Sequence, residues 1–475
     1  MTTHVVHRRL TPHKQQKSQN SWAERCLSML LIAASVALGC AVVSALLRTF
    51  QPFSASLPVV LQPKESQNAP GLSTQLVFKE PSPEEVSRLR KAAQVLDPEL
   101  MEQIPEAFNS SVRNPCWTSP SGEFKCLPYF YVTGLFHAGG LTLGNMLREH
   151  PEVVVDACTG CQFWGEEGKK MGFYLDHMRE AAKAIQAAPD TKVLMDGSAS
   201  TFAFYWAGGG KAHRGFAEAM QPCYRSCVDS MHKDKVPVEE CMDKKCYNMS
   251  LAADVQRAVS AGIDYDTEAH NPLLVRAVYG NRPPKMILVV RDPIPRLYSA
   301  FMGYPHYYGK YGKTSAGFTA YVKEQVGAFR TCAASYGERR CALLFEALGA
   351  REEKVYFHAD QLMRGMYGLF LEIWYRFIPP TNWMVVHSDD FFSQPKDTLK
   401  RVIDFLGLKQ VDDAALEKMR AAGKPNTYTT GQPPMEPEAR KLLAELYTPY
   451  NSMLAKLTGD KRYEQWNQQP PAQQA

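Results

Sequence analysis

From residue 26 to residue 47 the chain carries no charge, and only Ser28, Ser35, Gly39 and Ser44 interrupt its apolar side chains. As a helix these 22 residues would be about 33 Å long, enough for a hydrocarbon core of about 30 Å. The run is longer, and lies further from the first residue, than the apolar stretch of a cleaved signal peptide, so it predicts an uncleaved membrane-spanning helix. Residues 48–113 are rich in Pro, Ser and Gln and read as a stem. One helical pattern breaks them: a Ser82-Pro83-Glu84-Glu85 cap followed by Val86, Leu89, Ala93 and Leu96. Across residues 114–466, and most clearly from Leu127, short apolar runs alternate with apolar positions at helical spacing. That alternation predicts an α/β domain with a central parallel sheet flanked by helices, bearing a cysteine-rich insertion at about residues 215–250. The tail, 467–475, is Gln, Pro and Ala without periodicity and predicts disorder.

Charge orients this arrangement. Arg8, Arg9, Lys14, Lys17 and Arg25 precede the apolar run against a single Glu24, so residues 1–25 hold +4 of the chain's net +5. The short tail is therefore expected in the cytoplasm and everything beyond Arg48 in the lumen. The remainder is nearly neutral, which excludes a broad basic surface for nucleic acid; an anionic ligand must be held by a local patch.

Of the 12 cysteines, ten lie in the expected lumenal part, where disulfides are the rule. Cys116/Cys126 and Cys332/Cys341 have the spacing of two short loops, while Cys223/Cys227 and Cys241/Cys246 place thiols on successive turns of two helical segments, as a stapled hairpin requires. Zinc is the alternative for that quartet, with spacings unlike the common ones. Cys158 and Cys161 form a Cys-x-x-Cys, read as a structural disulfide rather than a redox pair because no thioredoxin-like unit surrounds it. Asn109 and Asn248 begin glycosylation sequons.

Candidate chemistry lies at two junctions. Tyr129–Thr133 is β-rich, Gly134, Gly139 and Gly140 form a turn, and Leu143, Met146 and Leu147 follow at helical spacing. A strand, a glycine loop and a helix N-terminus suit a phosphate. The spacing from Gly134 to Gly139 is that of a nucleoside-triphosphate loop, but Gly140 and Leu141 stand where Lys and Ser/Thr are needed. The second junction is an apolar strand from Lys285 to Val290, then Arg291, Asp292, Pro293 and a helix carrying Ser299. Arg291 and Ser299 could hold another phosphate at the carboxyl edge of the sheet.

Together these junctions resemble the two phosphosulfate-binding motifs of Golgi carbohydrate sulfotransferases of the N-acetylgalactosamine 4-sulfate 6-O-sulfotransferase and heparan sulfotransferase type. Their donor is 3'-phosphoadenosine 5'-phosphosulfate (PAPS). The likeness extends in order through Val193–Thr201, 365–374, 385–390, 405–408 and 439–457. It implies a P-loop-like sheet preceded by one membrane helix, a PAPS donor without a metal, a carbohydrate acceptor, Golgi membrane localisation, and a homodimer as an open question. The first motif falls on Gly134, His137, Ala138, Gly139, Gly140, Leu141 and Leu143, with Thr142 as a displaced hydroxyl. His137 stands where the family has its catalytic lysine, and Gly140 and Leu141 stand for two phosphate-binding threonines. Arg291 and Ser299 match the 3'-phosphate motif, and Lys424 falls in the loop that relatives place over that phosphate or the substrate. At Thr159-Gly160-Cys161-Gln162-Phe163-Trp164 the two aromatics align with the family string, but its catalytic glutamate is Gly160. Glu166 and Glu167 are the nearest candidate substitutes.

The resulting expectation is sulfuryl transfer from PAPS to a glycan hydroxyl, with His137 and a neighbouring carboxylate doing the chemistry. The alternative is an impaired relative that binds nucleotide or glycan. A type II glycosyltransferase using Asp264 and Asp266 as a metal pair is remote, since no apolar strand leads into that pair.

Overall fold

In the computed structural model the first described element is α1, Pro83–Leu96, whose N-cap Ser82 accepts the Glu85 N–H at 3.2 Å. Structure is described for residues 80–468 except 159, 166–168, 204–209, 350–353, 356–358, 425–430 and 432. The expected membrane span, 26–47, lies outside these; among the described residues no helix is long and apolar enough to cross a membrane. The segment read as stem is folded from α1 onward. Val86, Leu89, Ala93 and Leu96 are buried, and Arg90 donates to the Ala277 carbonyl at 3.0 Å. An amphipathic helix with four buried apolar positions gains more by docking than by standing in water, at roughly 1.5–3 kcal/mol per large side chain. Residues 83–113 are thus part of the globular unit, which starts earlier than residue 114.

A hairpin of β1, Cys116–Thr118, and β2, Phe124–Cys126, leads into β3, Phe130–Val132. The remaining strands are β4, Val153–Val155; β5, Val193–Asp196; β6, Lys285–Val290; and β7, Trp383–His387. They form one parallel sheet in the order β4-β5-β3-β6-β7, as the alternation of apolar runs and helical patterns leads one to expect. Residues 286–290 are fully buried because helices cover both faces of the strand. On one face Phe130, Val132, Ile287 and Val289 pack with Leu143 and Leu147 of α2, Gly140–Arg148.

The chain leaves β3 through α2 to the edge strand β4, returns to β5, and then crosses to β6 on the other side of β3. The connections after β3 and β6 therefore diverge, and a crevice opens at the carboxyl ends of those two strands. The cysteine-rich insertion is a hairpin of α3, Arg214–Asp234, and α4, Tyr247–Ser260, bridged by Cys223–Cys246 and Cys227–Cys241. Further disulfides join Cys116–Cys126, Cys158–Cys161 and Cys332–Cys341. Asn248, at the start of α4, and Asn109 are both exposed, and the Asn109 Oδ1 accepts from the Ser111 N–H at 3.0 Å and its hydroxyl at 2.8 Å.

Candidate functional site

The loop after β3 closes on itself. Thr133 extends the ladder by one residue, its N–H donating to the Ile287 carbonyl at 2.8 Å. A methyl on Gly134 would lie 2.6 Å from the Gly140 Cα, and one on Gly140 would lie 2.8 Å from the Gly134 Cα. Two backbones pass where no side chain fits. Gly139 adopts φ 107° and caps α2 without any side-chain hydrogen bond. The first N–H groups of α2, with the positive end of its dipole, consequently face the crevice uncapped by the chain, a ready anion site.

Arg291 reaches this loop from the end of β6. Its Nη1 donates to the His137 carbonyl at 3.2 Å, while its own carbonyl accepts from the Tyr367 hydroxyl at 2.8 Å. Asp292 accepts the Ile294 N–H at 3.0 Å and so caps the helix α5, Pro293–Gly303, which presents Ser299 two turns later. The Ser299 hydroxyl pairs with His137 Nδ1 at 3.1 Å. His137, at φ 65°, thus joins the two phosphate junctions through its carbonyl and its ring. Burial, then the charges of Arg296 and Arg291, lower its pKa to about 4. The ring is neutral at neutral pH, so it supplies no standing positive charge; that comes from Arg291.

Along the same carboxyl edge, β5 ends on the buried carboxylate Asp196 and β4 is followed at once by another, Asp156. Both Asp156 oxygens accept the Gly160 N–H, at 3.2 and 3.1 Å. Asp196 accepts the Tyr174 hydroxyl at 2.5 Å and the Ser198 N–H at 2.7 Å, and burial followed by the charge of Asp156 raises its pKa to about 6. The loop 160–165 is bound to the turn after β5: the Gln162 N–H donates to the Ser198 hydroxyl, and the Ser200 N–H to the Gln162 side-chain oxygen, both at 2.9 Å.

Residues 267–455 match the family described as "Sulfotransferase domain". Carbohydrate sulfotransferase 15 of Mus musculus is 25% identical over 349 residues, covering 72% of this chain and 55% of that protein. The Homo sapiens protein of the same name is 23% identical over the same length. Heparan sulfate glucosamine 3-O-sulfotransferase 3B1 of Mus musculus is 24% identical over 195 residues, 38% of this chain and 43% of that protein. These matches support a carbohydrate sulfotransferase family. The chain spans about half the length of the relatives it matches.

Against that family, the structure brings Gly134, His137, Ala138, Gly139, Gly140, Arg291 and Ser299 into one place. Leu141 points to solvent at 60% exposure. The Thr142 hydroxyl is buried and donates to the Lys424 carbonyl at 3.5 Å, which sets it against the protein rather than in the loop mouth; Lys424 itself is exposed beside α2. Phe163 and Trp164, the aligned aromatics, are core residues, and the Trp164 indole N–H donates to the Tyr131 hydroxyl at 3.2 Å. Glu166 and Glu167 lie outside the described residues. The remote metal pair is otherwise engaged: Asp266 accepts from Arg340 at 2.6 and 2.8 Å, and Asp264 from the Thr267 N–H and hydroxyl at 2.8 and 2.7 Å.

Gly160 is a backbone position. At φ 100° with 3.0 Å between its would-be Cβ and the Gly197 carbonyl, it has neither the conformation nor the room for a side chain. Gly160→Glu is therefore expected to cost about 2 kcal/mol of stability in a denaturation experiment and to leave turnover no higher than in the unsubstituted protein. A rise in turnover would contradict this. Asp156 and Asp196 were not among the residues singled out from sequence, although a signal existed: Val153-Val154-Val155 and Val193-Leu194-Met195 both run straight into an Asp.

Proposed function

We propose that the protein transfers a sulfuryl group from PAPS to a hydroxyl of a glycan or glycosaminoglycan-like polysaccharide. One observation carries this: the uncapped glycine loop and the Arg291–Ser299 pair meet through His137 in the crevice between β3 and β6. The residues fit two phosphates. Backbone N–H groups at 139–142 suit one, and the Arg291 guanidinium with the Ser299 hydroxyl suits the other. PAPS would supply the activated sulfuryl group; the chain binds, orients and moves the acceptor's proton. In this reading residues 26–47 anchor the protein in the Golgi membrane with the folded unit in the lumen.

The test uses the full chain in detergent, labelled PAPS and a panel of glycans with free hydroxyls, beside calorimetry with 3'-phosphoadenosine 5'-phosphate (PAP). Labelled product supports the reading, and absence of PAP binding overturns it. PAP binding without product on any acceptor would favour the impaired relative, a reading supported by the neutral His137 and the side-chain-free Gly160.

His137 gives PAP binding a pH dependence of definite sign. Its pKa is about 4 without ligand, and a phosphate beside the ring stabilises the imidazolium, so binding takes up a proton. Affinity is expected to rise as pH falls from 7 towards 5, by up to about tenfold per unit beyond the phosphates' own titration. Calorimetry at several pH values on the natural chain and on His137→Asn measures that excess, which the variant should lack.

A further inference from the structure

We propose that Asp156 is the group that takes the proton from the acceptor hydroxyl, in a pocket floored by Gly197 and walled by the turn 198–201. The proposal rests on the sulfotransferase reading and deepens it.

First, the two carboxylates stand at one edge of the sheet. Asp196 is the last residue of β5 and Asp156 follows the end of β4, adjacent parallel strands whose register pairs Val155 with Met195, and Asp196 in turn lies opposite Tyr131 of β3. Both therefore reach the same carboxyl edge of the sheet from which the phosphate loop departs, within two strand spacings of it, about 10 Å. No part of the phosphate grip uses them.

Second, the surroundings suit a hydroxyl-rich ligand. Among the described residues the buried hydroxyls of Ser200 and Thr201 have no hydrogen-bond partner, and Thr201 is fully buried. Unpaired buried hydroxyls are unusual and call for a ligand or a water to satisfy them. Both belong to the turn that supplies Ser198 to Asp196 and to the loop 160–165. Third, there is space. Gly197 is half-buried, and no described atom lies within 4 Å of where its side chain would begin, although Asp196 and Ser198 on either side are fully enclosed.

The two carboxylates divide the work. Asp196 is locked by Tyr174 and Ser198, and burial, then the charge of Asp156, raises its pKa to about 6. Asp156 accepts the Gly160 N–H on both oxygens and has the Cys158 sulfur 3.4 Å from Oδ2, so its carboxylate lies directly under the Gly160 backbone. In the step, the acceptor oxygen forms a bond to sulfur as the bond from sulfur to the 5'-phosphate oxygen of the donor breaks. The hydroxyl proton passes to an Asp156 oxygen and from there to solvent, and the bond electrons leave with PAP. Gly160 explains why the base is here: a carboxylate cannot project from position 160, but one can lie beneath it.

The experiment measures sulfate transfer by the full chain, with an acceptor from the panel that works, together with PAP calorimetry and an unfolding midpoint. Asp156→Asn is expected to lower kcat at least about 100-fold while changing PAP affinity less than threefold. Asp156→Glu should recover part of the loss with a displaced acid limb in the pH profile. Gly197→Leu, at a position of ordinary φ, should keep the fold and PAP binding and lose turnover by filling the pocket. Asp156→Asn that folds and keeps kcat within threefold overturns the inference, as does full turnover by Gly197→Leu, and either leaves the sulfotransferase reading standing. If Asp156→Asn does not fold, Gly197→Leu decides. No transfer by the unsubstituted chain to any acceptor overturns both.

Discussion

Arg291→Ala is expected to weaken PAP binding by roughly 150-fold, about 3 kcal/mol, and to remove measurable sulfate transfer. The guanidinium is largely buried at the end of β6, and desolvation lowers its pKa without bringing it near neutrality in any physiological medium. It already donates to the His137 carbonyl, so it stands at the phosphate loop before any ligand arrives. A cation prepositioned in a crevice loses little freedom on binding, and removing it leaves a phosphate desolvated without its partner. Arg291→Lys preserves charge but not the fork and should fall between the two. Calorimetry with PAP reads the affinity, and a parallel unfolding curve separates a lost ligand contact from a lost fold. Unchanged affinity in a folded Arg291→Ala protein would remove the second phosphate site from the proposal.

Gly134→Ala should be nearly as severe, by a different route. The added methyl meets a main-chain atom, the Gly140 Cα, at 2.6 Å. A side chain could rotate away, but a backbone cannot, so the loop must open. The expected cost is about 3 kcal/mol in stability, and PAP binding should be lost because the N–H groups no longer converge. Gly140→Ala makes the same clash from the opposite side, at 2.8 Å. Once the loop has opened for one methyl, the second adds little, so the double variant should cost clearly less than the sum of the singles. Additive costs, or either single variant with normal stability, would show that the two glycines do not brace each other.

The fold class was readable because a buried parallel strand is an apolar run and its crossover helix has apolar residues at helical spacing; Lys285–Val290 and Leu143–Leu147 show both. The phosphate loop was readable for a related reason. Glycines at 134, 139 and 140 are needed by the backbone locally, and such needs leave a local trace. The edge of the domain was not readable, since α1 has a stem-like neighbourhood in composition and only its docking on the residues around Ala277 makes it part of the core. Thr142 illustrates the same limit: its place in the motif suggested a hydroxyl for phosphate, but the packing of the 423–424 segment turned it towards a carbonyl.

His137 and Gly160 mark the division most sharply. By itself the sequence determined that two positions of family chemistry hold other residues, because residue identity is a one-dimensional fact. Only the tertiary structure decided what that means. The charge state of His137 depends on burial and on Arg296 and Arg291, which come from a strand and helix more than 150 residues away in the chain. Whether a carboxylate sits beside Gly160 depends on how β4 and β5 align, and Asp156 and Asp196 meet because parallel strands end at a common edge. Electrostatics and proximity act through space, so the chain order that recorded the losses could not record the neighbours that answer them.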